Sequence, residues 1–203
     1  MGLRRAACYH HLKRPFTRKS RVKSKAYIKT VPPMKLTKFS MGNAPKYFSG
    51  GYNYEISFVS AENCQTRDVS LEAARQFVHR HLDEDIGDYY FVISVYPHHI
   101  LRENKMLTGA GADRMSTGMA LSFGVTTNNA VQLHVNKEIF KIAVMAEDAT
   151  HKIRGFLNKI RPKLSCKTKI IVSKIDKSKF PAKIEEAEAE PEESGEAEAV
   201  EAA

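Results

Sequence analysis

Histidine and cysteine are the residues of this sequence best suited to catalysis or metal binding, and they fall into small groups. Cys8, His10 and His11 lie close together, and His98 and His99 are adjacent. Neither group has the HExxH or paired Cys/His spacing of a zinc site, so the first could hold a metal only with ligands from elsewhere. No Ser/His/Asp arrangement or carboxylate pair stands out. The sequence therefore predicts no catalytic residues, no metal and no cofactor.

A glycine-containing segment offers a second kind of chemistry. Residues 102–117 read RENKMLTGAGADRMST, with two glycines, three basic side chains and no apolar face. Backbone N–H groups in such a loop can approach a phosphate, but the spacing is not GxGxxG and lacks GK[ST], which disfavours a mononucleotide site. The length is unusual for a loop in a compact domain. Its basic residues favour an RNA-contacting loop, and a flexible connection without a role is the alternative.

Charge is distributed unevenly along the 203 residues. Residues 1–49 carry 13 Lys and Arg and no Asp or Glu, whereas residues 50–149 carry 8 basic and 13 acidic residues. Residues 150–184 carry 11 basic residues and one acid, and residues 185–203 carry nine Glu and no basic residue. The formal net charge of +9 therefore combines two basic flanks, a near-neutral middle and an acidic end.

The two basic flanks favour a polyanionic partner, because Lys and Arg neutralise phosphates and release counterions. A solvated tail or an organelle-targeting presequence would also be basic and poor in acids. A presequence would not explain the second basic flank, so nucleic acid is the favoured partner. Aromatic residues between the N-terminal basic residues could stack on unpaired bases. They are Tyr9, Phe16, Tyr27, Phe39, Tyr47 and Phe48.

The overall composition predicts a soluble intracellular protein. Hydrophobic residues make up 42% of the chain, enough for a core, although Trp is absent. No apolar run approaches the roughly 20 residues that span a bilayer, and the basic N-terminus is not followed by the apolar stretch of a secretory signal. The three cysteines are far apart and include no CxxC pair, which argues against a disulfide framework and favours a reducing compartment.

Hydrophobic periodicity predicts a packed α+β domain that begins near Gly50. The predicted helices are residues 70–82, capped by Ser70, and residues 147–160, stopped by Pro162, with an acidic turn at 83–88. The order lacks strict βαβ alternation, which predicts antiparallel or mixed strands with two helices on one face. The predicted strands are residues 52–59, 89–96, 119–123, 131–135, 139–144 and 168–173.

Three regions follow from these patterns. Residues 1–49 lack useful periodicity and are interrupted by prolines, which predicts an extended basic arm that needs a partner to become ordered. Residues 50–180 form the predicted core, with the 102–117 loop. Residues 181–203 are predicted to be a disordered acidic tail that increases solubility. Alternatively, this tail folds back on the basic arm or recruits a partner.

Four segments of the chain are similar to segments shared by one protein family. They are MGLRRAACYHHLKRPFTRKS at 1–20, FSMGN at 39–43, LEAAR at 71–75 and PHHILRENKMLTGAGADRMSTGM at 97–119. They resemble the archaeal and eukaryotic ribosomal protein ten-e family, the counterparts of bacterial large-subunit protein sixteen. The last segment is the most specific, fits almost residue for residue and is closest to the archaeal branch. The resemblance covers about residues 1–180.

The resemblance implies a structural, non-enzymatic role in the cytoplasmic ribosome. Family members have a core of α/β-hammerhead type and lie in the large subunit beside the tRNA-binding cleft. The implied partners are large-subunit rRNA, tRNA and neighbouring large-subunit proteins, with no membrane. The implied loop near tRNA and the peptidyl-transferase centre comprises Arg102, Glu103, Asn104, Lys105, Met106, Leu107, Thr108, Gly109, Ala110, Gly111, Ala112, Asp113 and Arg114. The predicted rRNA-binding residues are Arg4, Arg5, Tyr9, Lys13, Arg14, Arg18, Lys19, Arg21, Lys23, Lys25, Lys163, Lys167 and Lys169.

The chain departs from the family pattern just after the most specific segment. Ala120 stands where the family has Arg, and residues 125–129 replace a Lys-Pro continuation, so at least two cationic contacts are lost at the turn 120–129. Two other functions therefore stay open. One is a small RNA- or nucleotide-processing enzyme that uses the Gly-rich loop with His98 and His99. The other is a family member that has diverged into a non-ribosomal RNA-binding or interaction protein.

Overall fold

In the part of the chain that the structure describes, the fold consists of antiparallel strands and three α-helices. The computed structural model describes residues 4–14, 22, 24–25, 28–104, 119 and 124–176. No helix in these ranges is long and apolar enough to cross a membrane. Short 3-10 helices occupy Ala6–Tyr9 and Arg161–Lys163. The remaining elements, in chain order, are β1 (Ser40–Gly42), α1 (Ala44–Phe48), β2 (Tyr54–Ser60), β3 (Cys64–Arg67), α2 (Asp68–Asp85), β4 (Tyr90–Ile93), β5 (His99–Glu103), β6 (Val125–Leu133), β7 (Glu138–Val144), α3 (Glu147–Ile160) and β8 (Thr168–Lys174).

The strands form two sheets around one main core. The five-stranded sheet has the order β1-β4-β7-β2-β8, and the three-stranded sheet has the order β3-β6-β5. Ile56 of β2 pairs with Ile142 of β7 and with Val172 of β8. The core joins this sheet to α2 and α3 and buries Phe58, Phe91, Phe140, Leu71, Val78, Leu82, Ile153, Leu157 and Ile160. The α+β prediction with antiparallel strands is confirmed.

Helix α2 is longer than predicted at both ends. It buries Leu71, Val78 and Leu82 at helical spacing, as expected. However, it starts at Asp68 after the extended residue Arg67, so Ser70 lies inside the first turn and is not the cap. Its last residues belong to the predicted acidic turn, because i,i+4 ion pairs such as that of Arg80 with Glu84 (2.8 Å) stabilise helical backbone.

The short elements are those that the sequence pattern did not predict. Strands β1, β3 and β5 and helix α1 have three to five residues each, too few for a periodic signal. With α1, the described residues contain three α-helices, whereas two were predicted. Strand β4 is shorter than predicted, whereas β6 starts at Val125, so residues 125–129 of the predicted turn are in a strand. Of the strand predicted at 119–123, only Met119 is described, and it is not in a strand.

The packed domain begins before Gly50, because the second half of the predicted arm packs against the core. Ile28, Leu36 and Met41 are buried, and β1 extends the five-stranded sheet. Side chains of the core form hydrogen bonds with the backbone of residues 28–37, called here the strap, at successive points. The bonds are Thr126 Oγ1 to Thr30 O (2.9 Å), Asn129 Nδ2 to Pro32 O (3.1 Å) and Lys35 N to Asp68 Oδ2 (3.0 Å). The predicted tail lies outside the described residues.

Substitutions at Gly42 and Gly155 test the packing of β1 against the rest of the sheet, with Gly155 as the control. Gly42 has φ +81°, and a Cβ there would lie 2.2 Å from the carbonyl oxygen of Tyr89. Gly155 is exposed inside α3, and a Cβ there would meet nothing within 4 Å. We expect Gly42→Ala to lower the free energy of unfolding by about 2–4 kcal/mol and Gly155→Ala to raise it by about 0.5–1 kcal/mol. Urea denaturation measures both, and a Gly42→Ala protein as stable as wild type would contradict the observed packing of β1.

Candidate nucleic-acid interface

The first described residues of the N-terminal arm are docked on strand β3. The backbone N–H of Gln65 donates to His10 O (2.8 Å), and its side-chain Nε2 donates to Tyr9 O (3.1 Å). Arg67 Nη1 donates to Arg4 O (2.9 Å), and its guanidinium lies 5.5 Å from the centre of the Tyr9 ring. Strand β3 therefore holds residues 4–10 of the arm through backbone carbonyls and the Tyr9 ring, and the cationic end of Arg4 takes no part in these contacts.

The same segment contacts the second basic flank. His10 Nδ1 donates to Ser165 O (2.5 Å), across 155 residues of sequence. His10 Nε2 lies 3.8 Å from the Glu62 carboxylate, which also accepts the backbone N–H of Lys167 (2.8 Å). Lys167 lies at this contact, and Lys163 and Lys169, which are each two residues from Ser165 or Lys167 in sequence, are exposed as it is. The two basic flanks, predicted separately from charge, therefore lie side by side in the fold.

The base of the Gly-containing loop lies against the arm as well. Arg102 and Glu103 belong to β5, and Glu103 pairs with Val125 of β6, so residues 104–124 connect the two strands of a hairpin. The Tyr9 hydroxyl donates to the Glu103 carboxylate, across 94 residues of sequence. Gly124 closes the hairpin tightly, since a Cβ there would lie 3.2 Å from the Glu103 carbonyl oxygen. Position and direction of the loop base are thereby fixed relative to the arm.

Between the arm and β5 opens a cleft of about 320 Å³, called here the arm cleft. Its basic lining comes from the arm and from β5, and its acid, Glu103, is bonded to Tyr9. Among the described residues, Arg4, Lys13 and Arg14 form no ion pair with a carboxylate. Their charge is therefore available to phosphates. The polar lining residues include Arg4, Tyr9, Lys13, Arg14, Gln65, His99, Arg102 and Glu103.

Acidic residues are concentrated away from the arm cleft. Asp83, Glu84 and Asp85 lie at the C-terminal end of α2, whose first turn follows the arm-binding strand β3. An 18-residue helix is about 27 Å long, so this acidic end is well separated from Arg67. The side of the molecule that carries the arm cleft, called here the cationic side, therefore lies apart from this acidic end and suits a polyanion.

The histidines that suggested catalysis do not converge. His98 is exposed, whereas His99 is buried on β5. Burial, followed by the charge of Arg102, lowers the pKa of His99 from 6.5 to about 4, so His99 is neutral at pH 7. Cys8 is exposed, and within the described ranges no group of three or more His, Cys, Asp or Glu is arranged to hold a metal. The enzyme hypothesis gains no constellation of residues from this geometry.

Comparison with known proteins shows the protein family of this chain. A family model described as ribosomal protein L16p/L10e matches residues 12–171. The chain belongs to this family. Relatives named "Large ribosomal subunit protein uL16" include one from Nanoarchaeum equitans, 41% identical over 165 residues that cover 80% of this chain and 88% of the relative. Another, from Thermofilum pendens, is 37% identical over 175 residues that cover 85% of this chain and 98% of the relative.

Membership in the L16p/L10e family makes this chain a ribosomal protein and not an enzyme, and the similarity to archaeal relatives confirms the expected branch. The family resemblance that was stated from four segments is thereby confirmed. The matched residues 12–171 include the hairpin loop and Lys163, Lys167 and Lys169 of the second basic flank, whereas Arg4, Tyr9 and His10 of the arm lie before the matched range.

The structure describes only part of the predicted site. Of the loop residues it describes Arg102, Glu103 and Asn104, and residues 105–114 lie outside the described ranges. Of the predicted rRNA-binding residues, Arg18, Lys19, Arg21 and Lys23 also lie outside them. The described ones are Arg4, Arg5, Tyr9, Lys13, Arg14, Lys25, Lys163, Lys167 and Lys169.

Three positioning residues were missed by sequence reasoning. Gln65, Arg67 and Gln132 hold the arm, the last by donating from Nε2 to Lys13 O (2.8 Å). Gln65 is 3% exposed, and strand β3 has no apolar run that would mark it as buried. A polar residue inside a four-residue strand gives no periodic signal, so only the folded contacts identify it.

The low pKa of His99 predicts a specific pH dependence of stability. In the unfolded chain His99 is protonated below pH 6.5, whereas in the folded protein it stays neutral down to about pH 4. The stability that depends on neutral His99 is therefore fully present above pH 6.5. As the pH drops from 6.5 to 4, the free energy of unfolding decreases by up to about 3 kcal/mol. We expect His99→Gln to flatten this part of the profile relative to wild type, and His98→Gln to leave it unchanged. Equal slopes for wild type and His99→Gln between pH 4 and 7 would contradict the assignment.

Proposed function

We propose that this protein is a structural constituent of the large ribosomal subunit that binds rRNA through its cationic side. The observation that supports this most strongly is the convergence of both basic flanks and the hairpin base, which are distant in sequence. The relatives that carry the name of a large-subunit protein support the assembly. In this proposal the arm cleft and the exposed lysines Lys163, Lys167 and Lys169 contact rRNA phosphates, and the protein works in the cytoplasmic ribosome beside other large-subunit proteins.

We further propose that residues 102–114 help to position tRNA near the peptidyl-transferase centre. The family resemblance of this segment motivates the role, and the geometry of its base is compatible with it. The β5–β6 pairing up to Glu103 and Val125 gives the loop a rigid origin, and Tyr9 connects that origin to the rRNA-binding arm. Contacts of the arm with rRNA would thereby fix where the loop starts. The protein would supply position, while the chemistry of peptide transfer belongs to the RNA.

The rRNA interface can be tested with two matched double variants. Lys13→Gln/Arg14→Gln removes two exposed cations at the arm cleft, and Lys152→Gln/Arg154→Gln removes two exposed cations from α3. Each lost phosphate contact reduces the slope of log affinity against log salt by roughly 0.7–0.9. We expect the first variant to bind large-subunit rRNA with a slope reduced by about 1.4–1.8, and the second to behave as wild type.

Sedimentation of cell extract tests the assembly itself. We expect the wild-type chain to migrate with large subunits and translating ribosomes at low salt, and the Lys13→Gln/Arg14→Gln chain to dissociate at lower salt than wild type. Equal loss from both double variants would contradict a localised interface. A wild-type chain that stays at the top of the gradient at low salt would contradict the ribosomal role and favour the diverged RNA-binding protein.

The loop can be removed without touching the described core. We expect deletion of residues 107–112 to leave the thermal unfolding of the isolated protein unchanged, because the hairpin is closed by backbone pairing at Glu103 and Val125. The loss should appear in translation rate or in late subunit assembly. Thermal denaturation and a translation assay with purified subunits measure the two effects. A large fall in unfolding temperature, or full translation activity, would contradict the proposed role.

A further inference from the structure

Three aromatic rings are in contact outside the arm cleft, two of them stacked and the third tilted. The rings of Phe39 and Tyr96 lie 5.4 Å apart at an interplanar angle of 15°, and the ring of His98 lies 4.5 Å from that of Tyr96 on a tilt of 43°. Tyr96 is 48% exposed and His98 is exposed. Large aromatic side chains are more often buried than displayed in this way. The group Phe39, Tyr96 and His98 is called here the ring stack, and its exposed members Tyr96 and His98 offer aromatic surface to an incoming ring.

The ring stack borders a cavity of about 410 Å³, called here the ring cavity. Tyr96 and His98 line one side, Gln132 of β6 lines another, and Lys137 lies in the turn that leads to β7. This volume falls in the range of small-ligand sites. Polar lining groups and a neighbouring lysine distinguish it from a purely apolar groove, and they suit a flat ring with hydrogen-bonding edges.

The charge near the ring cavity favours an anionic ligand. Lys137 is exposed at the lining. The neighbouring Glu138 carboxylate already accepts hydrogen bonds from Ser57 (2.9 Å) and Ser94 and lies 4.0 Å from Lys141 Nζ. Its negative charge is thus partly compensated, while the positive charge of Lys137 is not opposed by an ion pair among the described residues.

The ring cavity is continuous with the proposed rRNA interface. His99 lines both the ring cavity and the arm cleft. Gln132, which lines the ring cavity, donates to the backbone carbonyl of Lys13 in the arm (2.8 Å). A strand whose phosphates contact Lys13 therefore passes close to the ring stack, and an unpaired nucleotide of that strand could turn into the cavity.

We propose that the ring cavity binds an unpaired RNA nucleobase, which stacks on His98 and directs its phosphate toward Lys137. The proposal rests on the rRNA-binding function and deepens it, because it names a second kind of contact. Phosphate contacts at the arm cleft supply affinity without regard to base, whereas stacking requires an unpaired base. Stacking also tolerates any base identity, since every base presents a flat face.

The test uses the full chain and two single-stranded RNA oligonucleotides that differ in one central position. One carries the fluorescent base 2-aminopurine there and the other carries an abasic ribose there, and every other position of both strands is also an abasic ribose, so that no second base can enter the cavity. We expect wild-type protein to quench the fluorescence and to bind the first oligonucleotide roughly 5- to 150-fold more tightly than the second. His98→Ala and Tyr96→Leu should bring this ratio close to one, while His98→Phe, which keeps a flat ring, should preserve it.

The double variant Lys13→Gln/Arg14→Gln separates this proposal from the one on which it rests. It should weaken binding of both oligonucleotides equally and leave their ratio unchanged. If wild type sediments with large subunits but binds both oligonucleotides equally, the ring-cavity proposal is wrong and the ribosomal role stands. A ratio that survives both His98→Ala and Tyr96→Leu in folded protein, checked by thermal denaturation, would also overturn it.

Discussion

The proposed interface depends on one constraint. Two cationic segments must lie side by side while acidic side chains leave their charges unpaired. The first 49 residues contain no acid, so the arm has no internal counter-charge. Hydrogen bonds to backbone carbonyls hold residues 4–14 of the arm in place. They run from Gln65 to Tyr9, from Gln132 to Lys13 and from His10 to Ser165. Such bonds contribute roughly 0.5–1.5 kcal/mol each, and they leave the cationic ends of Arg4, Lys13 and Arg14 outside the docking contacts.

The three-stranded sheet is the element that makes this arrangement possible. Its edge strand β3 receives the arm, and its central strand β6 supplies Gln132 and pairs with β5 at the base of the loop. The strap at residues 28–37 runs over the same region and is fixed at its far end by Asp68, whose pKa is raised by burial despite the N–H groups of Lys35 and Val69. The arm, the strap and the loop base are therefore fixed to one sheet.

Sequence reasoning succeeded where a pattern is repeated along an element. Helix α3 has the predicted bounds, because Ile153, Leu157 and Ile160 recur at helical spacing and Pro162 follows. The choice of basic residues for the proposed interface also came from the sequence, because their density in the flanks is a property of composition, and it stays a prediction. Strands β3 and β5 could not be predicted, because four or five residues do not establish a period.

The assembly of the interface was beyond the reach of the sequence pattern for a different reason. The contact of Tyr9 with Glu103 joins residues 94 positions apart, and no local rule connects them. Gln65 and Gln132 act through single hydrogen bonds to backbone atoms, and a glutamine that does this has the same sequence signature as one in solvent. The chemistry of the proposed partner was predicted from composition and resemblance, whereas the geometry required the fold.

The central claim, that both flanks form one RNA-binding side, is tested most directly by ultraviolet cross-linking of RNA to protein in purified large subunits, followed by mapping of the cross-linked peptides. We expect cross-links within residues 4–14 and within residues 163–169 of the same molecule, and none at the acidic end of α2. Cross-links confined to one flank, or equally frequent at Asp83–Asp85, would contradict the shared cationic side.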